Sequence, residues 1–270
     1  MMLHKLSCKA YRIAAGAFVL SMLLLSTQQA RAVFTLEQVL NEPYFSESDI
    51  EAVRKGRFGV AKIHEVSDRE IAVVIACLVK GGSEAALAPF LGDSLPVDEE
   101  RLEGQGLITS GSADSAFDGI SLGVNERDEI KHYLDAEPGY GLNLSADEIA
   151  ALQALRGTAD PAQVEALVEE MLHARYLAYR KDGLAGAKPY AREKGDVVSP
   201  GEELRKTEEN MQGLHDMYPD FHNAWLRYPV KVPEDIVVDD YFWVKLNIDE
   251  RPVFVLSHRL ASRNEDMHLV

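Results

Sequence analysis

The chain has 270 residues, with 44 acidic side chains against 28 basic ones and a net charge of −16 at pH 7. A surface this acidic repels phosphate backbones and anionic headgroups, which excludes nucleic acid as a partner. Apolar residues make up 46% of the chain, enough to bury a real core without disulfides.

Residues 1–32 have the layout of a signal peptide. Lys5, Lys9 and Arg12 precede the apolar run AAGAFVLSMLLL, and Ala30, Arg31 and Ala32 form an A-x-A cleavage signal. The run from Ala14 to Leu25 is shorter than the ~20 residues of a spanning helix. The expected product is therefore residues 33–270, a single soluble domain, periplasmic or secreted, with no integral membrane segment after cleavage. Cleavage removes four of the 28 basic residues and none of the 44 acidic ones, which takes the net charge to −20. Cys77 is then the one cysteine left, and it is expected as a small buried hydrophobe without a disulfide partner.

Residues 34–56 read as two helical pieces split at Asn41, Glu42 and Pro43, the second capped by Ser46 or Ser48 and closed by Gly56. RFGVAKIHEVSDREIAVVIACLVK follows as two strands, and Ile71 to Val79, apolar on both faces, predicts a central strand. SEAALAPFL reads as a short helix, and residues 92–125 as short strands or an ordered loop. NERDEIKHYL and SADEIAALQAL predict short helices. The strongest helix opens at Asp160 and Pro161 and stops at Gly183, with Val164, Leu167, Val168, Met171, Leu172, Arg175 and Tyr179 as its stripe. Another begins at Ser199 and Pro200. After Pro233 the chain turns to β. Strands that bracket a helical middle predict an α+β fold, an antiparallel sheet of N-terminal and C-terminal strands with the helical segment packed against it.

The familiar catalytic and metal patterns fall away one by one. Glu129 with His132 and Glu170 with His173 have the Glu-x-x-His spacing of di-iron bundles, but a helical wheel turns both pairs toward solvent. GGSEA differs from a nucleophile elbow in its last residue and lacks the surrounding parallel strands, so Ser83 reads as an N-cap. His215 and His222, near Asp216 and Asp220, fit neither a zincin helix nor a zinc-finger arm. Gly104, Gln105 and Gly106 are followed by no lysine and form no phosphate loop. No metal and no cofactor is expected.

Two stretches carry the candidate site. In YLAYRKDGLAGAKPYAREKG, Arg180 and Arg192 suit an anion, with Tyr176, Tyr179 and Tyr190 as walls. In YFWVKLNIDERPVFVLSHRLASR, two strands joined by a polar turn put His258 on the face of Phe254, Leu256 and Leu260, where alternation calls for an apolar residue. Burial there favours a neutral, hydrogen-bonded ring. The ligand-binding set read from the sequence is His258, Trp243, Tyr241, Tyr179, Arg180 and Tyr190.

YLAYRKDGLAGAKPY, AWLRYP and YFWVKLNIDERPVFVLSHRL together resemble a set of secreted proteobacterial proteins with no assigned activity. IAVVIACLVKGGSEAALAPFLGD is similar to the strand and helix near the start of START-like, helix-grip proteins, although their long C-terminal helix has no counterpart after the last strand here. The second resemblance implies an enclosed apolar ligand. The expected function is binding of a lipid or other hydrophobic or amphipathic small molecule between sheet and helices. The alternatives are a hydrolase or lyase using His258 with a carboxylate from elsewhere in the fold, and a non-catalytic interaction module.

Overall fold

A computed structural model describes residues 45–62, 73–78, 88–109, 117, 119–122, 126–158, 160–209, 215–216, 218–229, 236–264 and 267–269. The signal-peptide segment, the first helical piece and Ser83 lie outside the described residues. The chain divides into two compact units, Met1–Ile63 with Val73–Ser83, and His64–Ala72 with Glu84–Val270.

In the first unit, helix α1 (Glu47–Arg54) opens on a capping box between Ser46 and Asp49. Strands β1 (Gly59–Lys62) and β2 (Val73–Ala76) pair antiparallel with each other as a two-stranded sheet. Among the described residues β1 and β2 pair only with each other, which corrects the expectation of a central strand around β2, and Val73 and Ile75 are exposed. Cys77 is exposed as well. Hydropathy reports what a strand offers for burial, whereas the number of neighbouring strands decides how much of it is covered.

The second unit is α+β. Strand β3 (Leu102–Ile108) lies in the stretch read as short strands or loop. Helices α2 (Glu126–Leu134), α3 (Ala146–Ala154) and α4 (Pro161–Asp182) follow, then the short pair β4 (Tyr190–Ala191) and β5 (Val197–Val198). Helices α5 (Pro200–Glu209) and α6 (Pro219–Leu226) lead to β6 (Ile236–Ile248), β7 (Arg251–Asn264) and β8 (Met267–Leu269). The sheet is antiparallel throughout, in the order β3-β6-β7-β8. Among the described residues, no helix is long and apolar enough to cross a membrane.

Local chemistry sets these boundaries. Asp160 caps α4 with Pro161 in its first turn, and Gly183 ends it at φ 59°. The β6–β7 hairpin closes at Asp249 and Glu250, both at positive φ, as a tight two-residue turn requires. Alternation along β6 sends Tyr241, Trp243 and Lys245 to one face and Phe242 and Val244 to the other. All five are buried. The first face packs on Val164, Val168, Met171, Leu172 and Tyr176 of α4. The second holds Arg259, which ion-pairs with Asp240 at 2.6 Å and donates to the carbonyls of Phe90 and Gly92. The salt bridge from Arg175 of α4 to the buried Glu148 of α3, at 2.7 Å, ties the two helices together. It also holds the Glu148 carboxyl down to about 2 despite the opposing effect of burial.

Candidate functional site

His258 and Tyr241 occupy directly opposed positions on β7 and β6, so their rings meet across the strands. They stack at 4.5 Å between centroids with 14° between planes. Asp239, two residues before Tyr241, shares its face and reaches His258 diagonally, with Oδ1 3.0 Å from Nε2. From the last turns of α4, Tyr179 brings its hydroxyl to 2.7 Å from His258 Nδ1. Tyr228, after α6, closes the cluster, stacked on Tyr179 at 5.1 Å and edge-on to His258 at 4.8 Å.

The proton positions follow from the partners. A carboxylate only accepts, so His258 donates Nε2–H to Asp239, and Nδ1 accepts the proton of the Tyr179 hydroxyl. The His258 side chain is 6% exposed, and burial, the largest effect, lowers its pKa. Asp239 works against that shift and the nearby Arg180 with it. Burial likewise raises the Tyr179 and Tyr241 hydroxyls far above their ordinary 10.0. At neutral pH the array is a neutral imidazole between a carboxylate and two protonated phenols.

This gives a pH prediction with a definite sign. With the folded-state pKa below the ordinary 6.5, the unfolded chain takes up a proton first as pH falls. The stability that His258 contributes is full above about pH 6.5 and is lost as pH falls through the lower folded-state value. Urea unfolding at pH 7.5 and 5.5 is expected to show lower stability at 5.5, and His258→Gln is expected to flatten that difference. An equal difference in the variant would place the titration on another group.

Arg180 completes the site. Its guanidinium lies 4.8 Å from the Tyr241 ring centroid and 5.8 Å from that of Tyr176, and Nη1 donates to the Tyr176 hydroxyl at 3.0 Å. It forms no ion pair with a carboxylate among the described residues.

Four of the residues read from the sequence therefore converge: Tyr179, Arg180, Tyr241 and His258. Two do not. Trp243 lies on the same face, but its indole fills the space above Gly104, Gly106 and Gly119, where a Cβ at Gly106 would come within 2.6 Å of Nε1. That close approach, rather than phosphate binding, accounts for the glycine pair. Tyr190 is on β4, with the guanidinium groups of Arg175 and Arg192 each 5.6 Å from its ring. Arg192 is engaged there too, donating to Asn143 Oδ1 at 3.0 Å. Sequence reasoning misses Asp239 and Tyr228. Asp239 is marked by its period-2 spacing from Tyr241, whereas Tyr228 has no local signal.

A second polar cluster lies on the sheet face that carries Tyr241. Lys245 Nζ meets Glu129 at 2.8 Å, Glu103 at 3.2 Å and the Ser121 carbonyl at 2.9 Å. Glu129 is therefore buried, which corrects the helical-wheel expectation for that pair. Lys245 and the neighbouring Tyr133 turn that face of α2 inward. Glu170 is exposed, as the wheel expects, while His173 is partly buried beside Phe117, 6.0 Å away. Glu103, Ser121 and Glu129 also line a cavity of about 1090 Å³ with His132, Tyr140 and Arg251.

Comparison of the chain with protein-family models, with curated proteins and with solved structures finds no match.

Proposed function

We propose that this is an exported protein that binds an amphipathic small molecule carrying an anionic head, with the head on Arg180 and the body against the partly exposed Tyr179 and Tyr228, which Tyr176 and Tyr241 back from the core. The observation that carries this reading is the state of Arg180. In a chain with a net charge of −16, a guanidinium held by a phenol and an aromatic face, with no carboxylate partner among the described residues, has donors to offer a carboxylate or phosphate. The surrounding tyrosines supply rigid, half-polar walls of the kind that orient a small ligand.

Thermal shift with dodecanoate against dodecanol tests the reading. The acid is expected to raise Tm and the alcohol to leave it nearly unchanged. Arg180→Gln should remove the difference while the ligand-free Tm stays within a few degrees of the parent. Equal shifts with both compounds, or none with either, would overturn the proposal.

One observation favours a second reading. Asp239, His258 and Tyr179 form a continuous hydrogen-bonded chain, in which the carboxylate orients the imidazole and the imidazole accepts the phenol proton. That is the arrangement of a base activating a hydroxyl. On this reading the protein is a hydrolase or lyase and Tyr179 is the reacting group. Tyr179→Phe would then abolish turnover of a bound ester while leaving ligand affinity within a few fold. On the binding reading no turnover is found in either protein.

A further inference from the structure

The second cavity of the larger unit, about 590 Å³, is lined by Arg205 and Glu209 of α5, His215 and Asp216 before α6, and His222, Asn223, Leu226 and Arg227 of α6 and its end. His222 is 3% exposed. A backbone carbonyl only accepts, so the contact of Nε2 with the Glu208 carbonyl at 3.3 Å makes Nε2 the protonated nitrogen. Nδ1 is then a bare lone pair, buried and without a hydrogen-bond partner among the described residues. A buried acceptor with nothing to accept is costly unless the site is completed by something else.

His215 repeats the arrangement. Its Nδ1 is 3.1 Å from the Asp216 carboxylate, so Nδ1 carries the proton and Nε2 is the lone pair. Each imidazole thus has one N–H held by an oxygen acceptor and the other nitrogen left as a donor of electrons. That is the pattern by which outer hydrogen bonds fix the tautomer and orientation of a metal-binding histidine. The ring centroids are 5.5 Å apart with planes at 89°. With metal–nitrogen bonds of about 2.0–2.1 Å, two imidazoles at a tetrahedral angle on one ion place their centroids roughly 5 Å apart. The sequence spacing of these histidines speaks against a metal only if one helix must present both. His222 belongs to α6 (Pro219–Leu226) and His215 precedes it, so the i, i+4 rule does not apply.

We propose that His222 Nδ1 and His215 Nε2 bind one divalent transition-metal ion in this cavity. Two nitrogen donors select copper, nickel or zinc over calcium or magnesium. Among the described residues no group of three or more His, Cys, Asp or Glu side chains is placed to hold a metal. The remaining coordination positions therefore go to water or to a small anion. Arg227, which lines the cavity and has no ion pair among the described residues, faces that anion, whereas Arg205 is engaged by Glu202 and Glu209. The acidic charge of the whole chain favours cation entry.

The full chain, stripped of metal, is titrated with Cu²⁺ and followed by calorimetry and electron paramagnetic resonance. One equivalent is expected to bind, with coupling to two nitrogens. His215→Ala removes an exposed side chain and keeps the fold. It is expected to weaken binding at least tenfold and leave coupling to one nitrogen. His222→Gln, where circular dichroism shows a folded protein, should do the same. Absence of saturable binding at one equivalent, or binding unchanged in His215→Ala, would overturn the site.

Discussion

Lys245→Met is expected to lower the unfolding free energy by about 3–5 kcal/mol, the usual cost of removing one partner from a buried ion pair. The Lys245 side chain is 4% exposed and that of Glu129 8%, so the carboxylate left behind is largely shielded from bulk water. Glu103, at 32%, can turn to solvent, which makes Glu129 the group that suffers. For a unit of this size, the loss corresponds to a fall in Tm on the order of 10 °C. Two further proteins separate charge from packing. Glu129→Gln in the Lys245→Met background should restore much of the loss, because a neutral amide is far cheaper to bury than a carboxylate that has lost its ammonium. Lys245→Met alone should also loosen α2 against the sheet, seen as faster amide exchange in Glu126–Leu134. A variant within 1 °C of the parent would show that Glu129 is hydrated and that the pair is not buried.

What was legible in the sequence, and what was not, follows from the range of the interactions. Helix ends depend on residues three or four apart, and Ser46, Asp160, Pro161 and Gly183 stand where capping chemistry puts them. The β6–β7 hairpin and the face carrying Tyr241 and His258 follow from a period of two, and the α+β class from the order of the elements. Strand partners are a different matter, because pairing is settled by chain closure and by the surface left to cover. The apolar run at Val73–Ala76 therefore carries no mark of a two-stranded sheet, while β3, with two glycines, pairs with β6 as an edge strand of the larger sheet, its glycines leaving room for the Trp243 ring. The α2 wheel fails for a related reason. Ile130 and Leu134 predict the buried face, but a lysine 116 residues away, at 2.8 Å, draws Glu129 inside. In the candidate site, Tyr179, Arg180, Tyr241 and His258 stand out as polar or aromatic residues at core-facing or helix-ending positions. Tyr228 joins them through tertiary structure alone.

The join that brings Tyr228 in is also where the second large effect is expected. Gly183 ends α4 at φ 59° and ψ −140°, a conformation open in practice to glycine only. A Cβ there would lie 1.8 Å from the Tyr228 carbonyl oxygen and 2.9 Å from its carbon. Neither atom belongs to a side chain that can swing away, so Gly183→Ala must move the end of the helix or the Tyr228 backbone. Strained backbone costs roughly 1–3 kcal/mol and overpacking of a close contact a similar amount, so the expected loss of stability is about 2–6 kcal/mol. Its consequence for the site is specific. Tyr228 stacks on Tyr179 and meets His258 edge-on, so displacing its backbone by even an ångström breaks both ring contacts, whereas Tyr241 and His258 stay paired across the strands. Near-ultraviolet circular dichroism should therefore lose tyrosine signal while the far-ultraviolet spectrum keeps its helix and sheet content. The dodecanoate shift should shrink in the same variant, because Tyr179 and Arg180 are consecutive residues on the turn that Gly183 terminates. A Gly183→Ala protein with parental Tm and an intact tyrosine signal would mean that the Tyr228 carbonyl does not rest on Gly183, and that Tyr228 is no part of the wall around Arg180.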